Sequence, residues 1–317
     1  MKHKLKITAI LLGMFLLTQF IGLFVQYADI FHIKQEINGT IQEVSNPHLL
    51  WIQPPEAQEQ SQYNSFFVSI VIAFIIAILI MFFLSKLKIE FILRLWFFVV
   101  VVIALFISFY AFEKLSFSSV TKNIFLFLPF LIALPLAYIK IYKQNFLLHN
   151  FTELLIYPGI AAVFVPLLNL YTIIALLILI SIYDMWAVWH SGFMQKMAQY
   201  QIKKLNVFSG FFIPYASKAV KEKIKKMKMT LSKSQLAKKK IRINVAILGG
   251  GDVIFPIITA GVMLKLFTFY HALFVIAGAT LGLGYLLVRS EKKKFYPAMP
   301  FITVGIFIGM ILGYLLM

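Results

Sequence analysis

The sequence predicts an all-α polytopic membrane protein of nine transmembrane helices, with its N-terminus inside and its C-terminus outside. Three observations carry that prediction. The chain is 61% hydrophobic and 13% charged, with a mean hydropathy of +0.88, well outside the range of soluble globular domains. Its apolar residues form continuous runs of about 20, the length of a helix across a bilayer, and lack the strict alternation of barrel strands. Its Lys and Arg residues concentrate in every second segment between those runs.

The runs lie at 6–28, 65–85, 92–112, 120–139, 151–168, 169–190, 243–264, 266–288 and 299–317. The first follows Met1-Lys2-His3-Lys4-Leu5-Lys6, a start that a secretory signal peptide would share. Its apolar stretch is too long for a usual signal core and no small-residue cleavage site follows, so it reads as the first helix. Residues 29–64 then form an outer loop carrying Asp29, Glu36, Glu43, Glu56 and Glu59 with Pro54-Pro55. Helices two to six follow closely on one another. The 191–242 segment holds 14 basic residues against one acid, Glu222, and its Ala216–Met229 part suits a basic helix lying on an anionic inner leaflet. The chain thus divides into 1–190 (helices one to six), 191–242 (basic cytoplasmic loop) and 243–317 (helices seven to nine).

With the N-terminus inside, 26 of the 30 basic residues fall on the inner side, leaving Lys34, Lys114, Lys122 and Lys265 outside. Topology and attraction to anionic lipid therefore account for the net charge of +18, and no nucleic-acid partner is implied. The absence of cysteine excludes disulfides and thiolate chemistry. The scattered His residues form no ligand cluster, so no metal and no cofactor is expected.

Asp184 and Asp252 are the residues that call for a function. Each lies in an apolar run, where an acid costs at least about 2.5–3.5 kcal/mol to insert, and such acids mark functional sites with partners. Asp184 is about six residues, roughly 9 Å, from the inner end of the sixth helix, and Asp252 about eight residues, roughly 12 Å, into a seventh helix begun near Asn244. Antiparallel neighbours would bring the two carboxylates to similar depth. Gly249, Gly250 and Gly251 weaken a helix by about 1 kcal/mol each, and Pro256 removes the amide that would bond the Asp252 carbonyl, so backbone and water are expected to open beside this acid. At the entry to the ninth helix stands Pro297-Ala298-Met299-Pro300, a start signal facing the same inner side.

Tyr183-Asp184 in a sixth span, Gly249-Gly250-Gly251-Asp252 as a G-x-G-D match in a seventh and Pro297-Ala298-Met299-Pro300 at a ninth resemble the presenilin and signal peptide peptidase family of intramembrane aspartyl proteases. Met185 to Met194 and the Phe255-Pro256 pair resemble its compact, single-subunit microbial presenilin homologues. The inside N-terminus is similar to presenilins and opposite to signal peptide peptidases. One departure is Met299, where the family's Pro-Ala-Leu motif has leucine, a change that keeps volume and apolarity.

The resemblance implies an aspartic endopeptidase that hydrolyses peptide bonds within transmembrane segments, with Asp184 and Asp252 catalytic. Two close carboxylates in low dielectric would share one proton; the ionised member would activate water while the protonated one hydrogen-bonds the scissile carbonyl. Leu248, Gly249, Gly250 and Gly251, with Pro297, Ala298 and Met299, would receive an unwound substrate strand, and Tyr183 would contact the neighbouring acid or the substrate. Substrates would be transmembrane proteins or peptides, no accessory subunit is called for, and the plasma membrane of a microbe is the expected location. A proton- or cation-coupled transporter would also use membrane acids and broken helices. Against it stand the odd number of spans and the lack of an internal repeat. A prepilin-type peptidase shares the G-x-G-D aspartate but not the Tyr-Asp pair or the ninth-helix motif.

Overall fold

The computed structural model describes residues 5–37, 40–57, 59–86, 90–116, 127–143, 145–191, 209–215, 244–291 and 296–317. Among them are nine α-helices: α1 (Leu5–Tyr27), α2 (Gln60–Lys86), α3 (Glu90–Ser116), α4 (Leu128–Tyr138), α5 (Phe146–Phe164), α6 (Leu170–Trp186), α7 (Gly250–Leu266), α8 (Phe269–Arg289) and α9 (Met299–Leu316). They follow the nine apolar runs in order. Among the described residues, seven segments are long and apolar enough to cross a membrane, and α4 and α7 are not among them. In α4 the first part of the expected span, 120–126, lies outside the described residues, and the helix continues as one π-turn, Ile139–Lys143.

Local signals set several helix ends. Asn145 caps α5, its side chain accepting from the amides of Leu147 and Leu148 at 3.0 and 3.3 Å. Asn169 caps α6 through a capping box with Thr172, whose hydroxyl receives the Asn169 amide at 2.9 Å.

Two antiparallel two-stranded sheets occur among the described residues beside the expected helices. β1 (His32–Ile37) pairs with β2 (Thr40–Ser45) in the first interhelical loop, and β3 (Gly210–Tyr215) pairs with β4 (Asn244–Gly249). The second pairing corrects the expected 243–264 helix: Asn244 to Gly249 form a strand, and the helix starts at Gly250. The expected depth of Asp252, counted along a helix from Asn244, falls with that span. Part of the 191–242 segment is likewise ordered structure, since Phe211 of β3 is fully buried in the core. The expected basic helix at 216–229 lies outside the described residues.

Apolar contact between helices gains little in lipid, so close packing depends on small residues that let backbones meet. Helices α8 and α9 show this most clearly. A Cβ placed on Gly278 would sit 2.1 Å from the Gly305 carbonyl oxygen, and one on Gly309 2.2 Å from that of Phe274. Glycine stripes on both helices thus bring the backbones into contact and fix where α9 begins. Helix α2 stands apart: no residue of its apolar window Gln60–Ile80 is buried. It meets α6 through the Phe74 and Tyr183 rings, 5.5 Å apart edge to face, and through a 2.7 Å bond from Asn169 Nδ2 to Gln60 Oε1.

Candidate active site

Asp184 lies in the last turn of α6 with 6% of its surface exposed. Its Oδ2 accepts the Met299 amide at 3.0 Å, and the Ala298 amide also points at the carboxylate. Those amides belong to the start of α9, where Ala298 is the N-cap and supplies no side-chain cap of its own. A helix start presents orphan N–H groups and a partial positive charge, so a carboxylate from another helix is a fitting cap. The Pro297-Ala298-Met299-Pro300 segment thereby contributes its backbone to the site. Met299 itself is 2% exposed and its side chain packs in the core, so the Leu-to-Met departure alters packing and leaves the amide in place. One turn earlier on α6, Ser181 Oγ meets Thr303 Oγ1 of α9 at 2.8 Å, a second stitch between the same helices.

Asp252 is held by its own turn. Gly249 is the N-cap of α7, and the Asp252 carboxylate, three residues on, accepts the Gly249 amide. That is half of a capping box, with the acid at the third helical position reaching back to the cap. The glycine triplet therefore marks the start of the helix and does not weaken its interior, which corrects the sequence reading. The three glycines also have different surroundings. A Cβ on Gly250 would lie 2.7 Å from Ser209 Oγ and 2.8 Å from Tyr157 Oη, whereas one on Gly251 would meet only Phe255, at 3.8 Å. Gly250, the variable position of a G-x-G-D motif, is thus the crowded one, and exposed Gly251 leaves space open beside Asp252. Pro256 stays within a continuous α7, and Gln19 of α1 donates to the nearby Val253 carbonyl at 3.0 Å.

Asp184 and Asp252, from different helices, lie within electrostatic reach of each other. Tyr183 is half-buried beside Asp184, with its ring directed to Phe74 of α2 and Trp186. Leu248 is buried at the end of β4, facing the core.

The β3–β4 sheet leading to Asp252 is anchored along one edge. Asn150 of α5 acts as a substitute strand, its Nδ2 donating to the Phe212 carbonyl at 2.9 Å and its Oδ1 accepting the Phe212 amide at 3.1 Å. His149 Nε2 lies 2.9 Å from the Gly210 carbonyl. In an antiparallel ladder, peptide groups alternate between the two edges. Because Phe212 faces Asn150, its cross-strand partner Ile247 directs its own N–H and C=O away from β3, as does Val245. Pro214, which has no N–H to give, falls on the same outward set of β3, where a proline is tolerated. The outer edge of β4 has no partner strand among the described residues.

The sequence reading missed this supporting layer. Glu153, a third acid inside the apolar runs, is 1% exposed on α5 and bonded at 2.5 Å to Lys140. Lys140, counted as an inner-side charge, is itself buried. The signal was available: His149, Glu153 and Tyr157 recur at intervals of four, one face of a helix. No group of three or more His, Cys, Asp or Glu able to hold a metal ion occurs among the described residues.

The family model described as "Signal-peptide peptidase, presenilin aspartyl protease" matches residues 48–317. Among solved structures, a presenilin family intramembrane aspartate protease is similar in two crystal forms. In space group C222 the TM-score is 0.54 at 17% identity, covering 97% of this chain and 99% of that one. In space group P2 it is 0.53 at 16% identity, covering 95% and 97%. No curated protein matches.

Proposed function

The chain belongs to the signal-peptide peptidase and presenilin family of intramembrane aspartyl proteases, and from that premise we propose that Asp184 and Asp252 are its catalytic dyad. The protein is an integral multi-pass membrane protein and an aspartic endopeptidase that cuts membrane-embedded substrate proteins. The observation that carries the assignment is that two acids from different helices lie within electrostatic reach of each other, one held by the Met299 amide and the other by the Gly249 amide. Each carboxylate keeps one side for its backbone anchor and the other for the reaction.

In this reading the dyad holds one proton. The ionised member takes a proton from water as its oxygen attacks the scissile carbonyl. The protonated member donates to the developing oxyanion and then helps protonate the leaving amine. A helical substrate hides its carbonyls in its own hydrogen bonds and must unwind before it is cut. The outward peptide groups of Val245 and Ile247 offer the unwound strand an edge that ends at Gly249, beside Asp252, which supports strand addition as the binding mode. Leu248 and Gly249 to Gly251 then line one side, with Pro297 to Met299 on the other. Exposed Gly251 gives the substrate backbone room, and Tyr183 flanks the approach from α2.

All nine helices cross the bilayer in this proposal, with the N-terminus inside and the C-terminus outside, as the Lys and Arg distribution favours. The 191–242 segment faces an anionic inner leaflet, the setting is the plasma membrane of a microbe, and the chain works without an accessory subunit. The test is cleavage of a reconstituted transmembrane peptide by purified Asp184→Asn and Asp252→Asn proteins. Loss of either acid is expected to reduce the rate at least about 10²-fold, while circular dichroism and detergent stability stay near wild type.

A further inference from the structure

A polar stripe on α5 lies behind the Asp252 turn and takes no part in the chemistry described above. His149, Glu153 and Tyr157 lie on one face of this helix, at 8%, 1% and 2% exposure. Lys140 Nζ reaches both Glu153 Oε1, at 2.5 Å, and His149 Nδ1, at 3.2 Å. Since an ammonium can only donate, His149 accepts at Nδ1 and gives its Nε2–H to the Gly210 carbonyl. Gly210 is the cross-strand partner of Gly249, the residue whose amide holds Asp252. One end of the stripe is therefore tied to the strand beside the cap.

The other end presses on the turn itself. Tyr157 Oη and Cε1 would lie 2.8 and 2.9 Å from a Cβ on Gly250, so the phenol sits against the first residue of the helix that carries Asp252. The Phe211 ring packs edge to face against it at 5.7 Å. Tyr157 Oη and Glu153 Oε2 are both buried, and the hydroxyl lies within interaction range of Glu153 and Ser209 and, at longer electrostatic reach, of Asp252. Burying a phenolic hydroxyl costs desolvation that a phenylalanine would avoid, and here the hydroxyl is placed directly against Gly250, the first residue of the helix that carries Asp252.

We propose that Tyr157, backed by the buried Lys140–Glu153 pair, is a positioning residue for Asp252. Its hydroxyl fixes the Gly249–Asp252 turn from behind, and through the turn the direction of the catalytic carboxylate. Lys140 neutralises Glu153, so that the phenol meets a paired carboxylate instead of an isolated buried charge. This inference rests on Asp252 being catalytic.

The experiment measures kcat and KM of the purified full-length protein on a transmembrane peptide, with Tyr157→Phe, Glu153→Gln and Asp252→Asn compared in parallel. Tyr157→Phe removes one oxygen from behind the turn and is expected to lower kcat by about five- to tenfold with KM unchanged and the melting temperature not lowered, the loss of one positioning contact expressed in the reaction barrier. Glu153→Gln keeps the side chain's shape and its bond from Lys140, and is expected to lower kcat in the same direction. It reports on the same link if Tyr157→Phe is not recovered folded. Wild-type kcat in the recovered variants, or a change in KM alone, overturns the positioning role while an inactive Asp252→Asn leaves the dyad intact. Wild-type cleavage by Asp252→Asn overturns both.

Discussion

Asp184 takes its hydrogen bond from the start of another helix, 115 residues away in sequence, whereas Asp252 takes its own from a residue three positions earlier. The first arrangement is tertiary. It depends on α9 being at the right height beside α6, which the glycine contacts of α8 with α9 and the Ser181–Thr303 bond secure. The second is local, a helix cap written in four consecutive residues. Distant packing should therefore disturb the Asp184 half selectively, and changes in the turn the Asp252 half.

The largest expected effect of this kind is that of Gly305→Ala. Its new Cβ would lie 2.2 Å from the Gly278 carbonyl oxygen, so the backbones of α8 and α9 must separate. The expected cost is about 1–3 kcal/mol of stability, with loss of cleavage because the Met299 amide leaves Asp184. Thermal unfolding in detergent and peptide cleavage check both parts. Gly250→Ala comes next. It places a methyl group 2.7–2.9 Å from Ser209 Oγ and the Tyr157 ring and hydroxyl, and its expected cost is at the lower end of the same range of about 1–3 kcal/mol, because Ser209 can turn aside. Cleavage falls because Asp252 is carried on that turn.

Ser181→Ala is expected to cost about 1 kcal/mol. It loosens α6 from α9 while leaving the Asp252 turn untouched, and a shift in cleavage without altered hydrogen exchange at 249–252 would mark the effect as confined to the Asp184 half. Smallest in stability is Gly251→Ala. With only Phe255 nearby it is expected to leave the fold intact or stabilise α7 by up to about 1 kcal/mol, yet to raise KM, since the methyl group enters the space proposed for substrate. A stability loss as large as that of Gly250→Ala would contradict the different roles assigned to these two glycines.

The same contrast explains what could be read in the sequence. Nine apolar runs gave the order of the helices because burial in lipid demands length and apolarity whatever the packing. The cap signal at Gly249-Gly250-Gly251-Asp252 was present too, but Val245-Ala246-Ile247-Leu248 is a short apolar run, and periodicity cannot tell such a run as strand from an extra helical turn. Only pairing with β3, and the Asn150 amide behind it, decides for the strand. The contact between Asp184 and the Met299 amide uses backbone, which leaves no side-chain pattern, so it was approachable only through the resemblance of Pro297 to Pro300. The α5 stripe is legible in the spacing of four between His149, Glu153 and Tyr157, but its partner Lys140 lies on another segment and only the fold brings it to Glu153.

The central claim is that two differently held acids act as one unit. Its most direct measurement is mass spectrometry of the products released from a transmembrane peptide in liposomes by wild type, Asp184→Asn and Asp252→Asn at equal protein. The account predicts defined fragments from cleavage within the membrane segment with wild type and none above background with either variant. Fragments formed at the wild-type rate by either variant would contradict it.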